Sequence, residues 1–310
     1  MNYRHYFSLL LGLVGAAMFG AAVWGLNREV EPFATWFFSF AWWSYILLAD
    51  AVIFARQGHS LLLNRLPELP RLAVASVTCW LIFELINFFL GNWHYLGVPP
   101  ALLPRWLGYA LAFATVLPGV FQTRDLLASF GVFAQARGPV REPGTAWMPP
   151  ATIAGLVLLV LPFLWPRYFF PLPWLAFIFL LDPFCYLAGG KSLWADWCRG
   201  QRQEIYLLLL AGLICGFFWE SWNYWAKAKW VYTLPYFNAG RIFEMPVLGY
   251  LGFPPFAVEC AVMVNFLVMV EDCWLTPRAK QRWLLGQLLF WVIMFAALDR
   301  WTVLALAAGS

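Results

Sequence analysis

The chain has 310 residues, 63% of them hydrophobic and 12% charged, with a net charge of +4 and a mean hydropathy of +0.69. Those values exclude a soluble globular domain. They give no sign of a nucleic-acid partner either, because the basic residues stand singly between apolar runs.

Apolar runs of about 20 residues recur from end to end, the mark of transmembrane helices. In chain order the predicted spans are 6–26, 33–55, 72–90, 103–121, 151–166, 169–188, 205–225, 246–270 and 283–306. The first lacks a small-residue cleavage site and reads as a retained helix. Between the fifth and sixth, "PFLWPRYFFPLPW" makes a tight turn, so 151–188 is either two full spans or a re-entrant hairpin. Segments 60–70 and 124–137 are amphipathic and expected along the membrane surface. Residues 226–245 are expected as an outer-face loop, since Lys227, Lys229, Arg241 and Glu244 suit water while Trp230, Tyr232 and Tyr236 suit an interface.

With nine spans, the loops on the N-terminal side hold 13 of the 20 Lys and Arg residues and the opposite side holds 7. The positive-inside rule then places the N-terminus in the cytoplasm and the C-terminus on the outer face of the inner membrane.

The two halves resemble each other. "LLADAVIFARQGHSL" (47–61) aligns with "FLLDPFCYLAGGKSL" (179–193), pairing Asp50 with Asp182 and Ser60 with Ser192. Downstream, Glu84 pairs with Glu220, Asn87 with Asn223, Trp93 with Trp230, Tyr95 with Tyr232, and Gly108-Tyr109 with Gly249-Tyr250. Matching spans are four apart, an even number, so the repeats are expected to be parallel. The predicted fold is therefore an all-α polytopic membrane protein: a first repeat over 1–137, a linker over 138–150, a second repeat over 151–270, and a C-terminal helix within 271–310.

Polar residues inside apolar helices are costly and usually functional. Glu84 and Asn87, like Glu220 and Asn223, are three apart and share a helix face. A carboxylic acid desolvated at that depth is expected to keep its proton near neutral pH and so to act as a proton donor. Glu244, Pro254, Pro255 and Glu259 add two more acids and a helix break in the second half, where Pro118 replaces Glu259 in the first. The candidate catalytic residues are Glu220, Glu259, Glu244 and Glu84. The candidate substrate contacts are Asn223, Asn87, Trp219, Trp222, Trp230, Tyr232, Trp93 and Tyr95, with the tryptophans as an aromatic wall around a shared cavity. For the two asparagines, interhelical hydrogen bonding is an equal alternative. Asp50 and Asp182 are expected to cap helices or pair with loop Arg or Lys, and Asp299 to pair or snorkel. The six cysteines have no metal-ligand spacing, and no cofactor motif is present: "GGKS" (189–192) lacks the first glycine of a phosphate loop.

The order of these signals is an acid in a helix, W-x-Y, then a Gly-Tyr and proline turn opening a helix with an acid. It resembles the membrane-embedded lycopene cyclase domain of the heterodimeric and fungal-type carotenoid cyclases. "FWES" with Trp230 and Tyr232 corresponds to that family's acid helix and W-x-Y. "GFPPFAVEC" corresponds to its P-x-E-E motif, with one acid, Glu259, in place of two. The resemblance covers 175–270 and, more faintly, 40–120. It implies non-redox protonation of a polyene, with a carotenoid-like or other lipid as substrate. Two further readings stand beside this cyclase-like or isomerase-like enzyme. One is a transporter or lipid carrier with a proton-linked carboxylate; the other is an accessory subunit whose polar residues join helices.

Overall fold

The computed structural model describes residues 3–236 and 240–304. Helices dominate: α1 (Tyr3–Asn27), α2 (Phe37–Gln57), α3 (Leu61–Asn64), α4 (Glu68–Leu90), α5 (Leu102–Phe113), α6 (Val116–Ser129), α7 (Met148–Leu164), α8 (Pro166–Phe169), α9 (Pro173–Leu187), α10 (Leu193–Cys198), α11 (Gln203–Trp225), α12 (Phe253–Met269) and α13 (Pro277–Trp301). Four short strands, β1 (Trp93–Leu96), β2 (Lys229–Tyr232), β3 (Arg241–Ile242) and β4 (Met245–Pro246), join two by two.

Six helical segments are long and apolar enough to cross a membrane: α1, α2, α4, α11, α12 with its flanking turns, and α13. Leucines on α1 (Leu9, Leu13) and α13 (Leu285, Leu289) are exposed, as suits lipid and not water. Three predicted spans fall outside the six. At 1.5 Å per residue, α7 and α9 reach about 25 and about 22 Å, short of a hydrocarbon core of ~30 Å.

The third exception, 103–121, breaks into α5 and α6 at Ala114 and Thr115, where Pro118 has no N–H to give the Ala114 carbonyl and its ring crowds that carbonyl. Ser76 of α4 enters the gap: its hydroxyl donates to the Phe113 carbonyl at 2.6 Å and accepts from Leu117 N–H at 3.0 Å. The inserted hydroxyl satisfies those two backbone groups. The double proline behaves differently from expectation. Pro254 and Pro255 lie in the first turn of α12, after a 3₁₀ turn over Val247–Gly252, and so begin a helix instead of breaking one.

The two halves use the same local devices. The Asp50 carboxylate accepts from the Ser60 hydroxyl at 2.7 Å and Leu62 N–H at 3.0 Å. Asp182 accepts from Ser192 at 2.7 Å and Leu193 N–H at 2.8 Å. Each aspartate thus caps the short helix that follows it, α3 or α10, and neither pairs with Lys or Arg. Helix neighbours also recur: α1 packs on α2 as α7 does on α9, α2 on α6 as α9 on α12, and α4 on α6 as α11 on α12.

Several surface expectations change. Residues 60–70 hold α3 and the start of α4, and 124–137 hold the end of α6 and a turn. The expected linker is a strap hydrogen-bonded to the α10–α11 turn, with Gly138 N–H donating to Gly200 O at 3.0 Å and Arg141 N–H to Cys198 O at 2.7 Å. Asp299 pairs with buried Arg105 of α5 at 2.7 Å and also accepts from Trp106 and Tyr109, which fastens α13 to the first half. The outer-loop segment 226–245 contains β2, β3 and part of β4, while residues 237–239 lie outside the described residues, as do 305–310 with the predicted C-terminal end.

Candidate functional site

The W-x-Y motifs are strands, and they pair with each other. Trp93 opposes Tyr232 and Tyr95 opposes Trp230 in the antiparallel β1–β2 ribbon. Aromatic residues at alternate positions suit such a ribbon. Each strand is fixed to its own helix by the asparagine of the Glu-x-x-Asn motif. Asn87 donates to Trp93 O at 2.9 Å and accepts from Asn92 N–H at 2.8 Å. Asn223 donates to Trp230 O at 2.9 Å and accepts from Trp230 N–H at 2.9 Å. Both amides bond backbone through oxygen and nitrogen and so build the ribbon, and neither lines the aromatic cavity beside it.

The glutamates one turn earlier hold the aromatic side chains of these strands. One oxygen of Glu84 accepts from Trp80 Nε1 at 2.9 Å, from Trp93 Nε1 at 3.0 Å and from the Tyr95 hydroxyl. One oxygen of Glu220 accepts from the Tyr232 hydroxyl at 2.7 Å, and that hydroxyl accepts from Trp230 Nε1 at 2.9 Å. Glu84 and Glu220 are both fully buried, and each keeps its second oxygen without a hydrogen-bond partner. Burial pushes the Tyr232 phenol well above its ordinary pKa, and the neighbouring Glu220 carboxyl adds to the shift. The phenol therefore holds its proton across the physiological range.

Helices α4 and α11 do not pack side by side as the repeat suggests. Helices α6 and α12 each pack against both, and the Trp80 and Trp219 rings meet across the centre at 5.2 Å.

Beside that contact lies a cavity of about 310 Å³. Trp80, Trp93, Trp174, Trp219, Trp230 and Tyr232 form its aromatic wall. The 3₁₀ turn closes one flank, where Leu248 and Leu251 are exposed at the rim. No charged side chain lines the cavity among the described residues. Its polar groups include the Tyr232 hydroxyl and the side chain of Asn92, a residue 4% exposed that makes no side-chain hydrogen bond. A cavity of this size and character suits an apolar ligand with few polar features.

The four acids do not meet in this cavity. Glu84 and Glu220 stand behind its wall. Glu259 is fully buried between α12 and α9, where one oxygen accepts from Phe177 N–H at 2.7 Å and the other has no partner. Glu244 forms an ion pair with Lys229 at 2.8 Å. Among the candidate aromatics, Trp222 packs on Trp42 and Phe218 away from the cavity.

Tyr95 instead lines a second, smaller cavity of about 50 Å³ that shares Trp80, Trp219 and Trp230 with the first. It also takes in Gly108 and Tyr109 where the larger cavity takes in Gly249. Trp36 fills the difference: a Cβ on Gly108 would lie 1.7 Å from its ring.

Compared with known proteins, the chain matches no family model, no curated protein and no solved structure. The site therefore rests on its own geometry. Sequence reasoning missed Asn92, Trp80 and Trp174. Trp80 carried a signal, since it lies four residues before Glu84 on the same helix face.

Proposed function

We propose that this is an integral membrane enzyme that draws a long, neutral isoprenoid, carotenoid-like or other lipid chain into the aromatic cavity and acts on it by non-redox proton transfer. The observation that carries the reading is the hydrogen-bonded chain from buried Glu220 through Tyr232 to the cavity wall. In this mechanism Glu220 carries a proton, Tyr232 turns its hydroxyl proton from Glu220 to a substrate double bond, and the phenol oxygen takes the Glu220 proton in exchange. The aromatic faces stabilise the resulting carbocation. Loss of a neighbouring proton back to the relay restores the acid, so the product is an isomer and no oxidant or reductant is consumed. Glu84, with its three aromatic partners, is a positioning residue for the opposite wall.

The reading includes two parallel four-helix repeats and a C-terminal helix, nine membrane segments in all, with the N-terminus cytoplasmic. The matching aspartate caps, asparagine clamps and helix neighbours support the repeat. The excess of basic residues on the N-terminal side supports the orientation. A second reading, a lipid carrier, is favoured by one specific observation: among the described residues no carboxylate lines the cavity.

Conversion of lipid extracted from the host membrane separates the two. An enzyme yields an isomer of the bound lipid that is lost in Glu220→Gln and Tyr232→Phe with binding retained. A carrier returns the lipid unchanged from the unaltered protein and from both variants.

A further inference from the structure

A separate cleft, sharing no residue with the aromatic cavity, lies where the strap 137–147 crosses α10 and the α10–α11 turn. Its volume is about 410 Å³. Arg141, Arg202, Trp147, Trp194 and Trp197 line it, together with the exposed Glu142.

Its hydrogen-bonding groups are unbalanced in one direction. The Arg202 Nε and Trp147 Nε1 atoms are buried donors without an acceptor. No buried acceptor is left unpaired among the cleft residues. Among the described residues neither Arg141 nor Arg202 forms an ion pair with a carboxylate, whereas Arg124 pairs with Asp125 and Glu204.

The Arg202 guanidinium is held in place by stacking. It lies over the Trp197 ring at 4.4 Å, and its other neighbour is Gly138, where a Cβ would come within 2.1 Å of Nε. A side chain at this position would have to displace the guanidinium. Tyr186 donates to the Pro143 carbonyl and fixes the strap across the cleft. Buried polar groups without partners in a folded protein call for a ligand, ion or water. Here both orphans are donors, one of them on a guanidinium, and a second arginine stands in the same cleft, so the missing partner is rich in acceptors.

We propose that this cleft binds a phosphate group, with Arg141 and Arg202 as its cationic contacts and the tryptophans as walls for whatever the phosphate carries. Two sources share that chemistry, an anionic phospholipid headgroup and a soluble phosphate. The fork geometry of arginine suits either, since both present two acceptor oxygens to one guanidinium.

The test is hydrogen exchange on the full-length protein in neutral-lipid nanodiscs, reading peptides over 137–147 and 194–202. One arm raises the phosphatidylglycerol content of the disc; the other adds inorganic pyrophosphate. Saturable protection in the first arm alone assigns a lipid headgroup, and protection in the second assigns a soluble ligand. Either supports the site, provided that Arg141→Gln and Arg202→Gln each weaken the half-saturation point at least tenfold. Gly138→Ala is expected to do the same by displacing the guanidinium, without altering exchange in the membrane helices. Absence of protection in both arms, or equal protection in the arginine variants, overturns the proposal.

Discussion

Tyr95 stands directly across from Trp230 in the two-stranded ribbon. Trp93 stands across from Tyr232 in the same ribbon, so the two W-x-Y motifs exchange partners about a local twofold axis. Each motif is gripped from behind by the asparagine and glutamate of its own helix. The ribbon is thus the part of the molecule where the two halves meet as equivalents, and it forms one wall of the aromatic cavity.

Removing the asparagine grip should loosen that wall. Asn87→Ala leaves Asn92 N–H, Trp93 N–H and the Trp93 carbonyl without their partner. Buried backbone groups left unpaired cost about 1 to 3 kcal/mol. The expected result is a lower melting temperature in detergent and faster hydrogen exchange over 92–96. A variant with unchanged exchange there would remove the clamp from the account.

The Arg105–Asp299 pair makes a second structural forecast. Asp299 receives two bonds from Arg105, at 2.7 and 2.8 Å, and one each from Trp106 and Tyr109. Asp299→Ala leaves the buried Arg105 charge with only the Pro99 and Pro100 carbonyls and should cost about 3 kcal/mol. Thermal unfolding in detergent reads the loss. A melting temperature equal to that of the unaltered protein would show that this ion pair does not fasten α13.

Much of this architecture can be read from the sequence, and the failures have physical causes. The Glu-x-x-Asn and W-x-Y repeats stand out because buried polar residues are rare, and the structure brings the two W-x-Y motifs together in one ribbon. Their roles are not legible, because a sequence does not reveal that Asn223 faces Trp230 backbone or that Glu244 has Lys229 within 2.8 Å. The break at Ala114 and Thr115 is legible in part, because Pro118 stands four residues after Ala114. The hydroxyl that fills it, from Ser76, lies on another helix. Trp36 shows the limit most plainly: nothing local to it predicts that it fills the cavity equivalent to the one left open in the second half.

Orientation is testable by labelling. In a Cys273→Ser background, Arg28→Cys should react with an impermeant maleimide from outside intact cells, and Val140→Cys only after the membrane is opened. Both positions are exposed. The reverse pattern would invert the topology and place the aromatic cavity toward the cytoplasm.

The claim on which the functional account turns is that the aromatic cavity holds a neutral apolar chain. Gly252 lines this cavity, and a Cβ there would meet nothing within 4 Å. Its backbone, at φ −77° and ψ −26°, accepts any L residue, so Gly252→Leu should fill the space without disturbing the fold. The decisive measurement is mass spectrometry of lipid retained by the purified protein and by Gly252→Leu. The account predicts a long neutral isoprenoid or lipid near one per chain in the unaltered protein, reduced at least tenfold in a variant of equal melting temperature. Equal retention in the two proteins, or a charged lipid as the retained species, would contradict it.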